Sequence, residues 1–423
     1  MRAAILSVGS ELVTGLVLDT HGREISRALA GLGIEVARHE TLDDNVPEIA
    51  AALERAAADA GLVVVTGGLG PTPDDLTRDG LAEAMGVPLE ENAAARAMLD
   101  AWAAPRGRKP GGSNLRQALL PKGAEPLPNP VGSAPGILAV LGAARVFCLP
   151  GVPGEMRRML ADQVLPRLGP AQAGRVSMVR TVRTFGMPES EVGERLADLM
   201  ALGRSSPPVS GPRVATAAHS GIIDVHIHAT GPRESVERAL QAEAAEVRRR
   251  LGPVVFAEGD TDMAGAVAAL LAEAKATLAL AESCTGGLVA TKLVAVPGIS
   301  EWLLEAVVAY SNAAKVRLLG VPGAVLEEHG AVSEPVARAM AEGARKRSGA
   351  NLALAVTGIA GPGGGSAAKP VGTVWFALAH QGGTEAAHRV FVGDRDHVRE
   401  RAAIFALNML RVHLLRAACG STP

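Results

Sequence analysis

The sequence predicts an α/β protein in three parts, and three observations carry that reading. Over residues 1–165 short apolar runs alternate with amphipathic stretches, the βαβαβ rhythm of a doubly wound, mostly parallel sheet. Residues 176–255 break this rhythm and read as a small α+β unit. The remainder returns to α/β alternation and closes on a long helix.

The elements follow in order. Ala3–Val8 is a buried strand, Thr20–Leu32 a helix ending near Gly33, and Ile34–Arg38 a second strand. Val46–Asp59 is a helix, and Leu62–Thr66 is a strand that runs into Gly67-Gly68-Leu69-Gly70-Pro71. A later strand, Arg145–Leu149, meets Pro150-Gly151-Val152-Pro153-Gly154, where a helix starts. After a connector at 166–175 come strand Val176–Phe185, helix Glu189–Leu202, the loop Gly203–Pro212, strand Ile222–Ala229 and helix Glu234–Leu251. Ala257–Met263 reads as a linker. Strands are expected near Thr277–Ala281, Ala306–Tyr310, Leu352–Thr357, Val371–Leu378 and Arg389–Val392, before a helix after Arg395.

Composition narrows the function classes. With 48% apolar residues in 423, the chain has ample material for cores and is not a disordered polymer. A net charge of 42 − 44 = −2 argues against general nucleic-acid binding, which needs clustered cations. Cys148, Cys284 and Cys419 lie too far apart in sequence for a clustered zinc site or a disulfide framework. No apolar run approaches the ~18 residues of a membrane span, so a cytoplasmic protein with no membrane partner is expected. Aromatics are scarce, leaving the cores to Ala, Val, Leu and Ile. Tyr310 is the only tyrosine, and there are 7 Lys against 35 Arg.

The C-terminal third concentrates chemistry. The strand near Thr277–Ala281 ends in Glu282-Ser283-Cys284-Thr285-Gly286-Gly287, and a helix follows. A serine at such a turn sits beside free backbone N–H groups, which can stabilise an oxyanion. It needs a base, and Tyr310 and Lys315 lie five residues apart after a neighbouring strand. A lysine serves as base once desolvation lowers its pKa; arginine does not. The plain alternative is equally open: Ser283 as a helix cap, Tyr310 as a core aromatic, Lys315 as surface charge. Cys284 at the helix start is a second candidate nucleophile, because that position lowers a thiol pKa.

Residues Ala281–Gly287, Val296-Pro297-Gly298, Val308–Asn312, Lys315, Leu319-Gly320-Val321, Gly330–Ser333, Val356–Pro362 and Lys369–Val374 run in an order that closely resembles the nicotinamide-nucleotide amidohydrolase domain of the CinA (competence/damage-inducible protein) family. The likeness covers residues 262–418. It implies Ser283 as nucleophile, with Lys315 and Tyr310 handling protons. It further implies deamidation of nicotinamide mononucleotide to nicotinic acid mononucleotide and ammonia, without a cofactor. Thr285, Gly286, Gly287, Thr357, Gly358 and Arg399 look like the positions that hold the substrate, Arg399 being preferred over Arg395.

At the other end, Thr66–Thr77 places glycines between a buried strand and a helix, where backbone can approach a phosphate. Asp74 and Asp75 can hold a divalent cation bridging that phosphate, or Asp75 can simply cap the helix. Together with Val8–Leu12, Gly15, Asp19-Thr20, Asn129, Gly132–Gly136 and Leu149–Met156, this run resembles the family's molybdopterin-binding-like domain over residues 1–168. The resemblance implies a nucleotide site at Asp19, Gly67, Gly68, Gly70, Thr72 and Glu155, and metal-dependent hydrolysis of ADP-ribose. His21 departs from the family pattern, which places Asn there.

Residues 176–254 look like the family's KH-like middle domain, opened by Thr184–Ser190. The segment has no GxxG clamp for nucleic acid, so a spacer or dimer element is expected. His226 and His228 share a strand face without a visible third ligand, and Arg248-Arg249-Arg250 reads as a solvated helix end. The overall expectation is a homodimeric enzyme of pyridine-nucleotide recycling. The alternative is a competence- or damage-associated interaction protein with vestigial sites.

Overall fold

The computed structural model describes residues 1–107, 110–169, 175–201 and 211–418. Cys419 and most of the Gly203–Pro212 loop lie outside them. Among the described residues the strands are, in chain order, β1 (Arg2–Val8), β2 (Glu35–Leu42), β3 (Leu62–Thr66), β4 (Leu89–Glu91), β5 (Leu119–Pro121), β6 (Glu125–Leu127), β7 (Gly136–Leu141), β8 (Ala144–Leu149), β9 (Arg175–Phe185), β10 (Arg213–His219), β11 (Ile222–Pro232), β12 (Val255–Glu258), β13 (Leu278–Glu282), β14 (Leu303–Val308), β15 (Leu352–Gly358), β16 (Thr373–His380) and β17 (Gly383–Val390). They form two compact units, residues 1–179 with 228–240, and 180–227 with 241–423.

The first unit is built on a six-stranded sheet ordered β2-β1-β3-β8-β7-β6. Its first four strands pair in parallel, and β7 and β6 turn back antiparallel. Side chains alternate across it as the period of two requires. Ala4, Leu6, Val63, Val65, Val146 and Cys148 enter one apolar cluster; Ala3, Ile5, Leu62, Val64, Phe147 and Leu149 enter another. Helices cover both faces, so the doubly wound expectation holds.

The second unit carries the sheet β14-β13-β15-β16-β17, with β14, β13 and β15 parallel and the last two antiparallel. Its two faces differ in size. Leu278, Leu280, Leu352, Leu354 and Val356 pack on one side, whereas Ala279, Ala281, Ala353 and Ala355 line the other. The alanine face lets helix Glu334–Ser348 lie close, through Ala337, Ala341 and Ala344. That helix in turn touches helix Asn312–Leu319 backbone to backbone. A Cβ on Gly343 would stand 1.8 Å from the Leu319 carbonyl oxygen.

Several boundaries differ from the sequence expectation. The helix expected over Glu189–Leu202 breaks into Glu189–Arg195 and Ala197–Ala201, with Leu196 between them in a non-helical conformation. Strand β10 was not expected, because its outward residues are small and polar. The linker expected from Ala257 instead begins as β12, which pairs antiparallel with β9. The strands expected at Ala306–Tyr310 and Arg389–Val392 start earlier, since β14 and β17 are sheet edges with little apolar alternation. The middle segment shares a core with the C-terminal sheet. Ile222 joins its apolar cluster, and the Phe185 and Phe405 rings lie 6.5 Å apart. No helix among the described residues is long and apolar enough to cross a membrane.

Candidate active site

Strand β13 ends at Glu282, and the next residue starts a turn pinned on both sides. The Ser283 N–H donates to Val356 O at 2.9 Å, and Ala309 N–H donates to Glu282 O at 2.9 Å. The Glu282 carboxylate is buried and accepts the N–H groups of Gly287 (3.0 Å), Val289 (3.1 Å) and Ala290 (2.8 Å). It holds the head of helix Leu288–Val294 against the strand end and satisfies donors that would otherwise be orphaned. Sequence reasoning quoted Glu282 only as part of a motif; a carboxylate inside an apolar strand end was the available signal.

Lys315 sits on helix Asn312–Leu319, which Ser311 caps by accepting Ala314 N–H. Its side chain is not surface charge: the residue is 1% exposed. Nζ lies 2.9 Å from Ser283 Oγ, and it donates to the backbone carbonyls of Ala309 (2.9 Å) and Tyr310 (3.2 Å). Burial pulls its pKa below the ordinary lysine value. A neutral amine here donates two hydrogens to the two carbonyls and turns its lone pair to the serine hydroxyl.

Tyr310 is placed differently from a core aromatic. It is 61% exposed, and its hydroxyl accepts from the Arg395 guanidinium at 3.0 Å. Lys315 meets its carbonyl, not its phenol. Arg395, set aside in favour of Arg399, also donates to Gly361 O at 2.7 Å. Arg399 donates to Thr285 O at 3.3 Å and lines a 410 Å³ cavity with Leu288, His397 and Glu400. Thr357 is buried and donates to Ala331 O at 2.8 Å. Gly358 packs under the turn; a Cβ there would lie 3.0 Å from Cys284 Sγ.

Two sequence expectations change. The N–H groups of Gly286 and Gly287 are spent on Ser283 O and Glu282, which leaves them unfree to serve an oxyanion. Cys284 is not an activated thiol: burial pushes it up to about 12, outweighing the nearby N–H groups.

The first unit gathers its motif residues around a 460 Å³ cavity. Asp19, His21, Gly67, Gly68, Gly70, Asp74, Asp75 and Glu155 all line it. Gly67 has φ +95, and a Cβ on it would fall 2.0 Å from Val8 O, so only glycine allows the loop to cross β1 there. Asp75 is the internal clamp of the loop, accepting Gly70 N–H and Thr72 N–H at 2.8 Å each and the Thr72 hydroxyl. Asp19 holds the first N–H groups of helix His21–Gly31 (2.9 Å to His21) and accepts Ser7 Oγ at 2.7 Å. Glu155 accepts Asn129 Nδ2 at 2.7 Å. Arg78, which sequence reasoning passed over, is buried beneath the loop and donates to Gly70 O at 2.6 Å; desolvation lowers it to about 10. Burial also lowers the pKa of His21, against the pull of Asp19.

The remaining singled-out residues have structural partners. His226 and His228 meet the hydroxyls of Thr181 and Ser177. Arg249 and Arg250 are ion-paired to Glu246, and Arg248 to Glu258, so that helix end is tied down and not merely solvated.

Comparison with known proteins gives three consecutive family matches. Residues 4–170 match a probable molybdopterin binding domain, 179–257 a damage-inducible protein CinA KH domain, and 260–414 a CinA C-terminal domain. A CinA-like protein of Citrifermentans bemidjiense is 45% identical across 98% of both chains. A CinA-like protein of Geobacter metallireducens is 46% identical across 98% of this chain and 100% of its own. A crystal structure of a competence/damage inducible protein from Agrobacterium tumefaciens is 41% identical over 36% of this chain and 93% of that one, with a TM-score of 0.35.

Proposed function

The chain belongs to the CinA family, and on that premise we propose that its second unit hydrolyses the carboxamide of nicotinamide mononucleotide, giving nicotinic acid mononucleotide and ammonia. The observation that carries this reading is the buried Lys315 amine 2.9 Å from Ser283 Oγ. A buried lysine without a carboxylate partner is expensive to keep charged, and burial lowers the pKa of Lys315, which favours the neutral base a serine needs.

In the forward step neutral Lys315 takes the Ser283 proton as Oγ bonds to the carboxamide carbon. Charge on the carbonyl oxygen is met by the Cys284 and Thr285 N–H groups. Lys315, now an ammonium held by the Ala309 and Tyr310 carbonyls, returns its proton to the amide nitrogen, and the C–N bond breaks to release ammonia. A water, deprotonated by the same amine, then attacks the ester carbon and frees Ser283. Arg395 reaches the Tyr310 hydroxyl and Arg399 the Thr285 carbonyl in the turn that carries Ser283, and planar guanidinium groups suit a 5′-phosphate. Purified full-length chain incubated with nicotinamide mononucleotide should release ammonia; folded protein that releases none refutes this reading.

We further propose that the first unit binds a nucleotide pyrophosphate such as ADP-ribose, supported by the cavity that gathers the glycine loop, Asp19 and Glu155. The donors fit a hard divalent ion held by one or two carboxylates and by the phosphates themselves. Asp74 is exposed at the cavity, while Asp75 has its oxygens engaged by the loop. When bound, such an ion supplies Lewis acidity towards the pyrophosphate. The chain's own part is to cradle the anion with loop backbone over Gly67–Gly70, stiffened from below by Arg78.

A further inference from the structure

On the far strands of the second unit, β16 and β17 make a hairpin whose edge meets the closing helix Arg395–Ala418. Three side chains converge there: His380 at the end of β16, Glu385 on β17 and His413 on the helix. His413 Nδ1 lies 3.1 Å from Glu385 Oε1, and His380 Nε2 lies 3.6 Å from the same oxygen. The two imidazole rings are 4.5 Å apart between centroids, and one donor atom from each residue falls within 4.8 Å of the others. Among the described residues no other His, Cys, Asp and Glu set meets that test.

We propose that His380, Glu385 and His413 form a binding site for a first-row divalent transition ion such as zinc, separate from both sites described above. Tetrahedral zinc with ligands at about 2.0–2.1 Å requires donor atoms roughly 3.3 Å from one another. The two distances to Glu385 already bracket that value, and the ring-to-ring distance closes by rotation about the histidine side-chain bonds. The donor set is two imidazoles and a carboxylate, which suits zinc, cobalt or nickel and not magnesium or calcium. Each residue is only partly exposed, so the ligands are held without being sealed from solvent.

The protons balance. His380 Nδ1 accepts Gly382 N–H at 3.1 Å, so the resting proton sits on Nε2 and points towards Glu385. Metal at Nε2 moves that proton to Nδ1 and gives up the bond from an exposed turn. At His413 the proton moves from Nδ1 to Nε2. Both rings stay neutral, so binding above the imidazole pKa releases no proton. A 590 Å³ cavity lies beside His380, lined also by Glu342, Arg345, Lys346 and Thr384.

The test uses cobalt(II) with the full-length chain. One equivalent should bind with the intense visible bands of a tetrahedral ion. His380→Gln and Glu385→Gln, both on a partly exposed hairpin and checked for native circular dichroism, should each lose those bands and weaken binding at least tenfold. Zinc should displace the cobalt and raise the Tm of the parent chain but not of the variants. Weak octahedral bands, or a titration that the two variants leave unchanged, would overturn the proposal.

Discussion

Lys315 is the residue on which the proposed deamidation turns. Burial disfavours its charged form, so the amine is neutral over a wider pH range than an ordinary lysine. In the proposed deamidation the reactive species is that neutral form. The acid limb of kcat/KM for deamidation should therefore rise with pH through a pKa below 10.5, the ordinary lysine value, and then level off. The same shift has a stability sign. Between the lowered pKa and 10.5 the unfolded chain holds a proton that the folded chain does not, so folding stability rises with pH across that window. Lys315→Ala should reduce kcat by about 10²–10⁴, measured as ammonia release. The Tyr310 hydroxyl accepts a hydrogen bond from Arg395. Tyr310→Phe removes one hydrogen bond at an exposed mouth, so KM should rise by less than about tenfold with kcat retained. A collapse of kcat would return the phenol to the proton path.

At the scale of elements, both sites depend on how a strand hands over to a helix. The Glu282 carboxylate ties three N–H groups of the turn and helix head. Glu282→Gln keeps the shape but has a single acceptor oxygen. It should cost about 2 kcal/mol of stability and lower kcat, because the turn that carries Ser283 loosens. Chemical denaturation with parallel kinetics measures both. In the first unit the handover from β3 crosses β1 so closely that Gly67 has no room for a methyl group. Gly67→Ala, strained in both backbone conformation and contact, should cost at least about 2 kcal/mol and weaken binding of ADP-ribose, read by calorimetry. Strands β1, β2, β3 and β8 were legible because βαβ units alternate period two with period 3.6, whereas β4 to β7 were not read from the sequence. Edge strand β10 was missed and the bounds of edge strands β14 and β17 were displaced, because an edge buries little and its sequence carries little alternation.

For the whole molecule, the two candidate sites lie in separate compact units with separate cores. Ser283→Ala should abolish deamidation while leaving ADP-ribose binding and turnover at parent values; loss of both would show that the sites are coupled. The amino-acid sequence by itself determined the α/β class, the order of the three segments, and the candidacy of Ser283, Lys315 and the glycine loop. These are local matters of periodicity, turn residues and motif spacing. Tertiary structure decided what each side chain faces. Thirty-two residues separate Ser283 from Lys315, and only the parallel pairing of β13 with β14 brings them within a hydrogen bond. Folding likewise sent the tyrosine's carbonyl to the lysine and its phenol to Arg395. It also raised the Cys284 thiol by burial, where its place in the chain alone pointed the other way. Burial, desolvation and long-range contact are properties of the packed chain, which is why no reading of neighbouring residues could supply them.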